Sequence, residues 1–351
     1  MKRKGYRPEV ATGALSENDT KRYFSTVGFA VFAFVAVSYG VSFLLTLLLT
    51  RFAPDVLKHP VGLYGLSVVT QYGIALPVAL LILKGLPKDV GATEKLGFGT
   101  FLGAVCMTFT FMTVGNTIGQ NVTGLLGSLM GKDLLNPVAA STEGVSPWIN
   151  LIFMAILAPV LEEILFRKIF CDRLLPLGEG YAIFLSAFIF GATHGNLYQF
   201  FYAFFVGLLF AGIYVRTGRL RYTITLHVII NALGGVFMPW VVDKLSPILT
   251  EEVLMEASEV LASQNAEAIE AFAATLEPYA LYMMLYGGYV LLNYVLSIVG
   301  VFVFMRTLRR TKLRSGLLPP AKEGRVANLF CNAGVAAAIT AFVGLFVLSL
   351  L

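Results

Sequence analysis

The sequence predicts an all-α fold, a polytopic transmembrane helical bundle of about nine spans carrying an external acidic amphipathic helical segment. Three observations predict it. Of 351 residues, 57% are hydrophobic and 13% charged, against about 45–50% and about 25% in soluble domains. The mean hydropathy is +0.77, so the chain lacks the polar surface that a water-soluble globule of this length needs. Apolar runs long enough to cross about 30 Å of hydrocarbon recur along it. Between them, Lys and Arg gather in alternate connections, the positive-inside pattern of membrane proteins.

The run 27–49 is too long for a signal-peptide core and follows about two dozen residues, so it reads as a retained helix. Runs 61–83, 98–120 and 148–170 follow. The next two, 181–196 and 197–215, are parted only by Gly195 and Asn196, the weakest boundary in the chain. Runs 221–241, 279–305 and 328–350 complete the set. With the amino terminus in the cytoplasm, 22 of the 26 Lys and Arg fall on that side, leaving Arg51, Lys58, Lys132 and Lys244 outside. The expected layout is a basic cytoplasmic tail (1–26), one membrane domain (27–351) and an external carboxyl terminus. Merging the fifth and sixth runs would move the Arg216 to Arg221 cluster to the wrong side, so the charge pattern supports keeping them apart.

The external segment 243–278 carries Asp243, Glu251, Glu252, Glu256, Glu259, Glu267, Glu270 and Glu277 against the single base Lys244. Leu249, Val253, Val260, Ile269, Phe272 and Leu276 recur at roughly helical spacing, which predicts one or two amphipathic helices over the outer face. The net charge of +5 comes without a dense basic stripe, so nucleic acid is not an expected partner; the lipid bilayer is. Cys106, Cys171 and Cys331 are odd in number and far apart, which argues against a disulfide framework or Cys-ligated zinc.

Of the 21 acids, 19 fall in tails or connections, leaving Glu162 and Glu163 inside the fourth run. An ionised acid at bilayer depth costs at least about 2.5–3.5 kcal/mol on insertion scales, so such groups are paired or line a functional cavity. Successive helical residues point about 100° apart while residues four apart share a face. Glu163 therefore stacks on Arg167 in the favourable ion-pair order, and Glu162 is left for chemistry. Pro159, one turn upstream, deletes a backbone hydrogen bond and opens local space. His194 shares a face with Phe190, and His227 with Asn231.

A desolvated carboxylate beside an imidazole is equipped to activate water, and Asn and His can donate to a developing oxyanion. The expected reaction is hydrolysis of an amide or ester inside the membrane. A second version places zinc or another divalent metal on Glu162, His194 and His227, although the compact H-E-x-x-H spacing is absent. A transporter or proton/cation relay could use the same polar groups. A non-catalytic immunity or scaffold protein would not need them.

The sets Glu162-Glu163-x-x-x-Arg167, Phe190-x-x-x-His194 and His227-x-x-x-Asn231, in this order on successive runs, resemble the three motifs of the CPBP family, the CAAX prenyl protease and bacteriocin-processing (Abi) intramembrane endopeptidases, grouped as metalloproteases. The resemblance covers about 145–240, the catalytic core. It implies a conical cavity and cleavage of a membrane-associated peptide or protein by water. By similarity Glu162 is the principal base assisted by His194, Glu163 and Arg167 support its helix, and His227 with Asn231 stabilises the oxyanion. Counting rise per residue puts these groups in the cytoplasmic half to middle of the bilayer, so substrate is expected from that side or laterally from lipid.

Overall fold

The computed structural model describes residues 13–134, 136–142 and 144–351; the start of the predicted basic tail, with Lys2, Arg3, Lys4 and Arg7, lies outside the described residues. Among the described residues, every regular element is a helix. Eight helical stretches are long and apolar enough to cross a membrane, and Glu179–Thr193 is a shorter apolar helix. Together they occupy the nine predicted runs. We number the elements α1 (Glu17–Phe52), α2 (Pro60–Leu83), α3 (Phe98–Met130), α4 (Pro147–Leu177), α5 (Glu179–Thr193), α6 (Leu197–Thr217), α7 (Leu220–Ile248), α8 (Glu251–Ser263), α9 (Ala266–Leu276), α10 (Ala280–Arg310) and α11 (Ala333–Leu350).

Local chemistry fixes the boundaries. Ser16 caps α1 by accepting from the Asp19 N–H, and Asn332 caps α11 by accepting from the Val335 N–H, each satisfying a donor the helix cannot. The weak break between the fifth and sixth runs is a true chain reversal. Gly195 there takes φ +70°, and the Asn196 side chain accepts from the Gln199 N–H to start α6. Of the predicted 243–278 segment, 243–248 continue α7, where Leu245 is buried, and the rest forms the hairpin α8–α9, whose helices bury no residue and leave Leu254, Leu261 and Ile269 exposed.

Two groups of helices pack around the motif helices. α1 lies against α2 and α11, while α3 lies against α6 and α10, with α5 on α6 and α4 on α5 and α7. Without water to expel between helices, close approach in lipid relies on small residues. A Cβ on Gly115 would lie 2.3 Å from Tyr202 Cα, and one on Gly119 2.7 Å from the Tyr198 carbonyl oxygen. These two glycines, one turn apart, set the α3–α6 spacing. Gly115→Leu is therefore expected to force the two helices apart at a cost of about 1–3 kcal/mol or more, read as a lowered thermal midpoint of the detergent-solubilised protein; an unchanged midpoint would refute the contact.

The basic end of α4 is held by a polar cluster that is buried apart from Lys168. Tyr214 donates to Asp172 at 2.8 Å, Lys168 pairs with Asp172 at 2.8 Å, and Arg173 donates to the carbonyls of Leu83 and Ile169. Such crosslinks between α2, α4 and α6 fix the rotation of α4, and with it the direction in which the two glutamates point.

Candidate active site

α4 is an irregular helix around its two glutamates. Pro159 has no N–H for the i to i−4 ladder, and the turns on both sides of Ala158–Glu163, at Leu151–Leu157 and Ile164–Cys171, are π-helical. Wide turns of this kind recur at functional sites. Their effect here is to present two adjacent carboxylates to different surroundings. The Glu163 side chain is fully buried, while that of Glu162 is 22% exposed and faces a cavity.

Glu163 is the inner anchor. Its Oε2 lies 3.1 Å from Arg167 Nε, the i,i+4 pair that the spacing predicts, with both side chains fully buried. The approach is a charge contact without hydrogen-bond alignment, since neither atom makes an aligned bond. Arg167 has one hydrogen-bond partner and an aromatic neighbour. Its Nη1 donates to Ser186 Oγ at 3.1 Å, Ser186 donates to the Phe166 carbonyl, and the guanidinium lies 5.1 Å from the Phe190 ring centroid. A cation against an aromatic face is favoured in a dry interior.

His227 joins the two carboxylates. Its Nδ1 is 3.1 Å from Glu163 Oε1 and its Nε2 is 3.5 Å from Glu162 Oε2. The first is a hydrogen bond; the second is longer than one. The result is a continuous series, Arg167, Glu163, His227, Glu162, from a buried cation to a cavity-facing carboxylate. Sequence spacing predicts the Glu163–Arg167 pair but not the His227 bridge, which depends on the rotation of α7 against α4.

His194 ends α5, and its Nδ1 lies 2.9 Å from the Phe190 carbonyl oxygen. A carbonyl only accepts, so Nδ1 is the donor and Nε2 carries the lone pair in the neutral ring. The Phe190 ring meets the edges of both histidine rings, with centroids at 5.1 Å from His194 and 5.7 Å from His227. Phe190 thus braces Arg167, His194 and His227 together. Asn231 donates to the Met154 carbonyl at 2.9 Å, which leaves the second hydrogen of its amide group for a ligand.

The cavity, about 350 Å³, is lined by Glu162, His194, His227 and Asn231, so four of the six predicted residues meet in one space while Glu163 and Arg167 support it from behind. The sequence reading did not single out Asn116, Gln120, Asn136, Gln199 and Tyr202, which also line it. The signal that could have found Gln199 and Tyr202 is the Asn196 cap, whose amide also donates to the His194 carbonyl and to Gln199. Gln199 in turn donates to Tyr202.

Gln120 lies about 33 Å along the axis of α3 from its first residue at 1.5 Å per residue, and Asn136 and Val138 follow the end of that helix. The cavity therefore extends toward the 131–146 connection, away from the end where Lys95, Arg216 and Arg306 gather.

Among the described residues, no group of three His, Cys, Asp or Glu side chains is arranged to hold a metal ion. Glu162, His194 and His227 share the cavity, but His227 turns both nitrogens to carboxylates and His194 turns one to a carbonyl. An imidazole whose Nδ1 is bonded to a carbonyl or carboxylate still has Nε2 for a metal ion, and His194 Nε2 carries its lone pair.

The family model described as Rce1-like, type II CAAX prenyl endopeptidase, matches residues 144–233, a segment that contains all three motifs. A protein of Bacillus subtilis (strain 168) named "Putative membrane peptidase YdiL" is 29% identical over 171 residues, which are 48% of this chain and 69% of that protein. No solved structure matches. Motifs, geometry and both similarities coincide on one stretch, and over that core the chain is similar to the Rce1-like type II CAAX prenyl endopeptidases.

Proposed function

We propose that the chain is an intramembrane endopeptidase that hydrolyses a peptide bond of a membrane-associated peptide or protein with water activated by Glu162. The observation that carries this reading is the single cavity bordered by Glu162, His194, His227 and Asn231. Glu162 takes the proton of a water that attacks the scissile carbonyl carbon. His194 Nε2 accepts the water's other hydrogen and aims its lone pair. The oxyanion that forms receives the second amide N–H of Asn231 and His227 Nε2–H, whose 3.5 Å separation from Glu162 is not a formed hydrogen bond. As the carbon–nitrogen bond breaks, the proton held by Glu162 passes to the leaving amine. With both His227 nitrogens protonated, His227 and Arg167 balance Glu162 and Glu163, so the buried cluster is neutral as a whole. Substrate approaches from the 131–146 end. If Lys and Arg orient the chain as their distribution suggests, that end is external.

The test is digestion of a membrane-associated peptide library by the purified protein in liposomes, with products read by mass spectrometry in ¹⁸O-labelled water. Cleavage at a restricted set of bonds, with label in each new carboxylate, is the expected result. Turnover is expected to survive extensive chelation, because no step above uses a metal; loss on chelation and recovery with zinc would replace this scheme by the metal version. Solute uptake without cleavage would favour a transporter.

A further inference from the structure

A second cavity of about 700 Å³ opens between α3, α6 and α10. It is separate from the candidate active site and lies at the opposite end of the same α3–α6 contact. Its walls are apolar, from Met107 and Phe111 of α3, Leu209 and Ile213 of α6, and Val303 and Phe304 of α10. Its mouth carries Arg216, Arg306 and Arg310. Arg306 and Arg310 are one turn apart on α10 and share a face. None of the three has a carboxylate within 4.0 Å among the described residues. Two carboxylates also border the space. Glu179 is engaged by the Arg314 backbone N–H at 2.9 Å and by its guanidinium at 4.0 Å, which leaves Glu94 against three guanidinium groups.

We infer that this cavity is a binding site for an anionic glycerophospholipid, with the phosphodiester against Arg216, Arg306 and Arg310 and one acyl chain in the slot between α3, α6 and α10. Three features favour this occupant. Guanidinium groups match phosphate oxygens with paired N–H donors. The net positive mouth selects against a zwitterionic headgroup, whose ammonium cancels the phosphate charge. The slot itself is open to the bilayer, because α10 buries only Ser297 and Gly300 along its length, so a chain can slide in laterally from the leaflet. The slot also has room for that chain. Gly99 and Gly212 border it, and a Cβ on either would meet nothing within 4 Å. The Lys and Arg count alone requires only charge near a membrane surface, whereas this site joins the charge to an apolar slot of ligand size, within the ~300–1,000 Å³ common for small-molecule sites.

The experiment uses the whole protein exchanged into nanodiscs of equal phosphatidylglycerol and phosphatidylcholine, with retained lipid counted by native mass spectrometry after release. Wild type is expected to keep one phosphatidylglycerol in preference to phosphatidylcholine. Each arginine near a membrane surface contributes about 1 kcal/mol toward an anionic lipid, or about fivefold, so Arg216→Gln/Arg306→Gln/Arg310→Gln should weaken retention on the order of a hundredfold. Gly212→Leu leaves the arginines in place and fills the slot, and it too should lose the lipid. Its added side chain meets no neighbour at Cβ, and leucine favours helix over glycine, so thermal midpoints should stay at the wild-type value. Equal retention by wild type and the triple variant, or equal retention of both lipids, would overturn the site. Full retention by Gly212→Leu, or displacement of the lipid by millimolar inorganic phosphate alone, would overturn the acyl-chain slot by showing that charge alone holds the headgroup.

Discussion

Glu162→Gln is expected to reduce kcat on the peptide identified by library digestion by about 10³-fold or more, with the protein still folded. General-base catalysis contributes about 10²–10⁴-fold, and glutamine keeps the size and one acceptor of glutamate while being unable to take a proton at neutral pH. That the protein stays folded follows from position. Glu162 borders the cavity, and its nearest charged neighbour, His227, is 3.5 Å away, so replacing it breaks no formed hydrogen bond. The measurement is a pair of steady-state kinetics and thermal unfolding in one detergent. Wild-type turnover by the variant would remove Glu162 from the mechanism and with it the proposed function. A folded variant that binds the peptide with unchanged affinity but does not cleave it is the outcome the scheme requires.

The contrast with Glu163 explains how much could be read before the structure. Whatever depends on the spacing within one helix was legible. The Glu163–Arg167 pair follows from 3.6 residues per turn, and so does the division of labour between two adjacent carboxylates. The nine apolar segments and the Gly195–Asn196 reversal were legible because lipid permits only helices, whose breaks need residues such as Gly and Asn. What depends on how one helix is rotated against another was not. His227 places its two nitrogens between Glu162 and Glu163, which makes it a link in the charge series besides the oxyanion role proposed for it. No periodicity in α7 encodes that. The same holds for Asn116 and Gln120, which sit on a helix outside the motifs and reach the cavity only because Gly115 and Gly119 let α3 approach α6.

Phe190 illustrates a residue whose role could be located but not understood from sequence. Its i,i+4 relation to His194 was plain, yet that relation matters through the backbone as well as the ring. The Phe190 carbonyl fixes the His194 tautomer, and its ring touches Arg167, His194 and His227. A single side chain therefore couples the structural ion pair to the reactive groups. Conservative changes there are expected to act on geometry before they act on packing.

Arg167→Met is expected to be the most damaging single change to the fold. Methionine fills much of the volume but removes the cation that faces Glu163 at 3.1 Å, and breaking a buried pair by deleting one partner costs about 3–5 kcal/mol because a buried charge is left alone. Ser186 also loses its donor, and the Phe190 face loses its cation. The companion change Glu163→Gln removes the stranded charge. If the pair is mainly an electrostatic couple, Arg167→Met/Glu163→Gln should recover at least half of the lost stability, since a neutral pair of similar volume is often tolerated. The double variant should nevertheless remain poorly active. His227 would then face an amide at Glu163 and lose the carboxylate that its Nδ1 is bonded to, so the ring that offers the oxyanion donor is less firmly held even where the helix is restored. Thermal unfolding of the two single variants and the double variant, with kcat on the same samples, separates these effects. Additive destabilisation in the double variant would show that Arg167 acts through packing alone, and full recovery of kcat would show that the charge series from Arg167 to Glu162 has no part in catalysis.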